Sequence, residues 1–128
     1  MTRRKPLEPP DDAPFDWTAT TLEELLDFAD AAARLVARGR KSYQSDEMLR
    51  LAAEALLHKI GEAVGRLDRD DSAFIAAHPE VNWRPMKGIR NLVAHDYGAV
   101  DYDIIWNALE RNLPQEAEQI RRILGDRR

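Results

Sequence analysis

The chain has no cysteine among its 128 residues. That absence removes disulfide frameworks, thiolate zinc sites and cysteine nucleophiles together, and it fits a reducing compartment. Long apolar runs are missing as well. The longest extend over a few residues, far short of the roughly 18 that span a bilayer, and the charged start MTRRKPLEPPDD has no apolar stretch behind it. We therefore expect a cytoplasmic protein with no membrane partner. No GxSxG or GxxxxGK segment supports a serine hydrolase or a phosphate loop. Because no HxxxH or ExxH spacing lies on one helix face, His95, Asp96, Asp101 and Asp103 remain a scattered set and no metal site is expected. Alternation of period two between turn residues is also lacking, so no sheet is expected. Finally, positive charge is not in excess: 19 Lys and Arg against 23 Asp and Glu give a net charge of −4. Taken as a total, that speaks against generic phosphate binding, which rests on surplus base.

What is present reads as a single all-α domain, since roughly 100–200 residues make one. Residues 1–16 hold four of the seven prolines and almost no aliphatic side chains, which predicts an irregular tail before a helical domain over 17–128. Thr21-Leu-Glu-Glu24 has capping-box spacing. From Leu22 through Leu25, Leu26, Ala29, Ala32, Ala33 and Val36, apolar residues fall on one helical stripe that Gly39 can end. A second long helix is expected from about Ser42–Ser45 to Leu67, antiparallel to the first. Shorter helices should follow: Ser72–Ala77, stopped by His78-Pro79, and one from Trp83 to near Gly98 with Met86, Ile89, Leu92 and Val93 inward. Another should run from an Asp101 cap to Leu113, and a last one is opened by Pro114. This is an antiparallel bundle of two long helices and three to four shorter ones. Trp83 and Trp106 sit at core spacing, His58 on a helix flank and His78 at a turn or cap; Gly61 and Glu62 suit close helix packing.

Charge counted by segment changes the first impression. Residues 68–80 and 96–113 each sum to −3, whereas Val81–His95 contains Arg84, Lys87 and Arg90 and no acid. Arg84 and Lys87 are candidate phosphate-binding residues. Within the same window Arg90-Asn91-Leu-Val-Ala-His95-Asp-Tyr97 gathers a guanidinium, an amide, an imidazole and a phenol. On a helix Asn91 and His95 are i,i+4 neighbours, so the amide can orient the ring. Arg90 and His95 are five residues apart, about 140° around the axis, and flank rather than stack. RNA cleavage without a metal needs a base for the 2′-hydroxyl, an acid for the leaving 5′-oxygen and a cation for the phosphorane. Imidazole and guanidinium suit those roles, and one histidine per chain fills only one of them, which makes a homodimer mechanistically useful. The alternative at this stage is structural: Arg90 pairs with Asp96 or Asp101, His95 caps a helix end and Tyr97 packs as an amphipathic edge.

Arg90-Asn91-xxx-His95-Asp96-Tyr97 resembles the Rx4HxY motif of the HepT-like family of HEPN toxins. Ile60-Gly61-Glu62-Ala63, His78-Pro79-Glu80-Val81-Asn82-Trp83 and Asp101-Tyr-Asp-Ile-Ile-Trp106 with Leu113-Pro114 support it, so the likeness covers roughly residues 45–124. The resemblance implies a HEPN helical bundle, a homodimer with the motif at its interface, and a metal-independent endoribonuclease toxin acting on RNA, not DNA. It further implies a cognate MntA-like nucleotidyltransferase antitoxin that transfers AMP to the motif tyrosine. By position, Arg90 and His95 would be catalytic, Asn91 would support them and Tyr97 would accept AMP. No cofactor is implied for the chain itself; ATP would serve only the partner. The rival reading is a non-catalytic HEPN module that holds nucleotide or substrate for such a nucleotidyltransferase.

Overall fold

A computed structural model describes residues 14–94 and 100–127, with the backbone alone for 89–94. The remainder of the expected tail, residues 1–13, lies outside it. Every regular element among the described residues is helical, as the missing two-residue alternation requires.

Helix α1 (Trp17–Val36) starts five residues earlier than the capping box suggests. Asp16 is the cap, its carboxylate accepting from Ala19 N at 2.9 Å, while the Thr21 hydroxyl turns back to donate to the Trp17 carbonyl at 3.1 Å. A carboxylate at the helix start also satisfies the positive end of the dipole, which a hydroxyl does not. At the other end Gly39 adopts φ +93°, alone among the described residues in the left-handed region, and reverses the chain as expected.

The second long helix is split. Residues Arg40–Ser45 form a short α2, Asp46 is extended, and its carboxylate accepts from Met48 N at 2.9 Å to start α3 (Glu47–Asp70). Helix α3 then runs three residues past Leu67, to Asp70, and Asp71 caps α4 (Ser72–Ala77) by accepting from Phe74 N. Helix α5 covers Trp83–Ala94. Beyond it, α6 (Tyr102–Asn107) and α7 (Leu113–Arg127) are not separate helices broken at Pro114. A π-helical segment, Ala108–Asn112, joins them. Proline lacks the N–H that an α-turn needs and crowds the carbonyl four residues back, and the wider turn just before Pro114 absorbs both defects.

Helix α1 packs on α3 and α7, and α5 lies on α3. The α1–α3 pair is antiparallel, because early residues of one meet late residues of the other: Thr18 Oγ1 donates to Asp71 at 2.6 Å, and Glu24 pairs with Arg66. Leu22, Leu25, Ile60, Val64 and Ile120 are buried where these helices meet, and Ala32, Ala53 and Ala63 let their backbones approach. Trp83 and Trp106 are core residues, as their spacing implies. Gly61 is buried and Glu62 is exposed beside His58, whose Nε2 lies 3.6 Å from its carboxylate. No helix among the described residues is long and apolar enough to cross a membrane.

Candidate active site

Helix α5 carries the basic window, and its position is set before its first turn. Glu116 of α7, although buried, accepts from both the backbone N–H (2.9 Å) and the side-chain amide (2.7 Å) of Asn82. One residue on, the Trp83 indole donates to the His78 carbonyl at 2.8 Å and meets Phe74 edge-on, with ring centroids 5.9 Å apart. His78 caps the end of α4, as its place before Pro79 suggests, and its ring rests against Phe74. Pro85 occupies the first turn of α5, where its missing N–H costs nothing, and Met86 is buried toward α3.

The two basic residues that the sequence assigns to phosphate differ. Arg84 is exposed. Lys87 donates to Asp68 of α3 at 2.9 Å, with both side chains partly exposed, so a neighbouring carboxylate already holds its charge. At about 100° per residue, positions 84, 87 and 91 fall within a sector of about 60° on α5. Position 90 falls between those of Lys87 and the buried Met86, at the border of the helix's inner face.

Arg90 and Asn91 are therefore placed on the last turns of a helix anchored on α3; their side chains are outside what is described. His95 and Tyr97 lie outside the described residues, as do the expected inward placement of Ile89, Leu92 and Val93 and the helix end near Gly98. The metal reading, which needed His95 and Asp96, falls there too; among the described residues no three His, Asp or Glu side chains converge to hold an ion.

The chain is secured again just after this segment. Asp101 caps α6, accepting from Asp103 N at 3.0 Å and Ile104 N at 3.3 Å. Tyr102 donates its hydroxyl to Glu54 of α3, and its ring lies 5.7 Å from the Arg50 guanidinium. Tyr43 of α2, almost fully buried, donates to the Tyr102 carbonyl at 2.8 Å and packs on Trp106. Burial, then the neighbouring Tyr102, pushes the Tyr43 phenol up to about 12; the hydrogen bond to Glu54, then burial, raises that of Tyr102. Both hydroxyls stay protonated donors at neutral pH. Helices α5 and α6, on either side of the residues outside the described set, are thus each fastened to α3.

Sequence reasoning missed the residues that do this fastening: Tyr43, Glu54, Asn82 and Glu116. Each acts across at least 34 positions in the chain, and no local spacing signals it.

Residues 21–123 match the family model described as ribonuclease HepT-like. Among curated proteins the chain is 32% identical over 84 residues to a Methanocaldococcus jannaschii protein named as an RNase, covering 66% of this chain and 67% of that one. A Caldanaerobacter subterraneus protein, also named as an RNase, is 32% identical across 66% of this chain and 72% of its own. A Thermococcus cleftensis protein named as a ribonuclease HepT is 30% identical across 58% and 64% respectively. No solved structure matches.

Proposed function

The chain belongs to the ribonuclease HepT-like family, and from that premise we propose that it is a metal-independent endoribonuclease whose reaction is carried by Arg90 and His95. The observation that carries this reading is the family match over 21–123, which spans the whole Arg90–Tyr97 motif. In this reading His95 of one subunit takes the proton of the 2′-hydroxyl, His95 of the other gives a proton to the leaving 5′-oxygen, and Arg90 stabilises the charge that builds on the phosphorane. Asn91 orients the imidazole, and Arg84 and Lys87 guide the phosphate chain. A homodimer that brings two motifs together supplies an acid and a base at once. The relatives' RNase names support the substrate class.

The same reading makes the chain the toxin of a toxin–antitoxin pair, silenced when an MntA-like nucleotidyltransferase transfers AMP to Tyr97. A nucleotide on that phenol adds negative charge within the motif, seven positions from Arg90 in the sequence, and in this reading competes with RNA for the guanidinium. Expressed alone, the wild-type chain arrests growth, and the Arg90→Ala and His95→Ala variants do not. Co-expression with the neighbouring nucleotidyltransferase raises its intact mass by whole AMP units, and Tyr97→Phe abolishes the increase. Harmless expression of the wild type would favour the binding-module reading, and an unchanged mass would remove the modification.

A further inference from the structure

A cavity of about 240 Å³ opens between α3, α5 and the π segment. Leu57 and Ile60 of α3, Met86 of α5 and Leu113 of α7 give it apolar walls, and Glu116, Asn82 and Asn112 supply its polar edge. A cavity of roughly 150 Å³ in an apolar core accepts a benzene ring, so this one has room for two fused rings. The π segment widens the helix beside it, bringing Ala108 and Asn112 to the lining.

Glu116 gives the cavity its selectivity. Its residue surface is 7% exposed, yet among the described residues no cation pairs with its carboxylate; Asn82 donates its backbone N–H to one oxygen and its side-chain amide to the other. A carboxylate offers about four acceptor positions, which leaves about two at the edge of the cavity. Two adjacent acceptors match the N1–H and N2–H donors of guanine. Adenine presents one donor and one acceptor on that edge, and its N1 would face a carboxylate oxygen with no proton between them. Met86 lies one turn before Arg90 on α5, about 6 Å along the axis. The cavity is therefore close enough to the motif for one base of a bound strand to enter it, splayed out as single-stranded bases are when a protein reads them.

We propose that this cavity is a guanine-binding subsite, with Glu116 reading the base and Asn82 holding Glu116 in place. The proposal builds on the RNA substrate proposed above, but its test does not depend on cleavage. Guanosine, inosine and adenosine 5′-monophosphates are titrated into the purified wild-type chain, with amide and methyl NMR shifts as the readout. GMP is expected to bind at least tenfold more tightly than AMP and to shift Leu57, Ile60 and Met86, with inosine monophosphate, which lacks the N2 amine, in between. Glu116→Gln replaces one acceptor by a donor and should remove the preference for GMP while an unchanged circular dichroism spectrum reports an intact fold. Ala108→Val narrows the cavity without touching a polar group and should weaken GMP binding. Equal binding of GMP and AMP, no binding by either, or shifts confined to other parts of the surface would overturn the subsite even if RNA is cleaved. A GMP preference in a chain that cleaves no RNA would keep the subsite and remove the ribonuclease reading.

Discussion

The buried hydroxyl of Tyr43 donates to the backbone carbonyl of Tyr102 at 2.8 Å, joining α2 to the first residue of α6 across 59 positions of sequence. Tyr102 follows the Arg90–Tyr97 motif by five residues, so this bond fixes the chain at the first residue of α6. The Tyr43→Phe variant keeps the ring packed on Trp106 and leaves the carbonyl without its donor. Loss of about 1–2 kcal/mol is expected, read as a lower denaturation midpoint in urea.

Alkaline pH provides a separate test of the same bond. Tyr43 titrates near 10 in an unfolded chain and is pushed up to about 12 in the fold. Below pH 10 both states hold the proton and the stabilisation is complete. Between pH 10 and 12 the unfolded chain ionises while the folded one resists, so stability falls as pH rises. Wild type should lose stability across that window more steeply than Tyr43→Phe, as thermal melts at stepped pH will show.

At the opposite end of the molecule, Asp16 caps α1 and accepts two 3.0 Å hydrogen bonds from Arg127, the described end of α7. The Arg127 guanidinium, followed by the Ala19 amide, holds the Asp16 carboxyl below its usual value of 3.8. Its contribution is present above that value and disappears as pH falls through the lowered one. Asp16→Ala should cost about 1–2 kcal/mol through the lost cap, whereas Asp16→Asn keeps an acceptor for Ala19 and costs less. Both variants should show a flatter decline in melting temperature below pH 4 than the wild type.

Asp68 holds Lys87 at 2.9 Å, and if Lys87 guides phosphate as proposed, this carboxylate competes for it. Replacing Asp68 with Asn frees the ammonium group and should raise RNA affinity severalfold at low salt, with a steeper salt dependence by up to about one counterion. Lys87→Ala should do the reverse, and fluorescence anisotropy with a short labelled RNA measures both.

Legibility in the sequence tracked the range of the interaction. The apolar stripes of α1 and α3, the stop at Gly39, the His78 cap and the Asp101 cap all depend on neighbours within a turn, and their residues announce them. Asp16 overtook Thr21 as a cap because a carboxylate serves the helix dipole better, a difference of degree between two adequate signals. Pro114 misled because its cost was absorbed by a π segment upstream, which no residue type marks. At the site, the motif and its basic window were legible as a local cluster, and the family match spans them. Asn82–Glu116, Tyr43–Tyr102 and Tyr102–Glu54, which fasten the helices on either side, were not, since each is a meeting of distant segments.

The most direct test of Arg90 and His95 as the centre of a metal-independent ribonuclease is cleavage of a defined single-stranded RNA by the purified chain in excess EDTA. Wild type is expected to yield fragments ending in 2′,3′-cyclic phosphate, with a drop of at least 100-fold in Arg90→Ala and His95→Ala, of the order that general acid–base groups contribute. Equal cleavage by wild type and His95→Ala, or activity that disappears with EDTA and returns with a divalent metal, would contradict it.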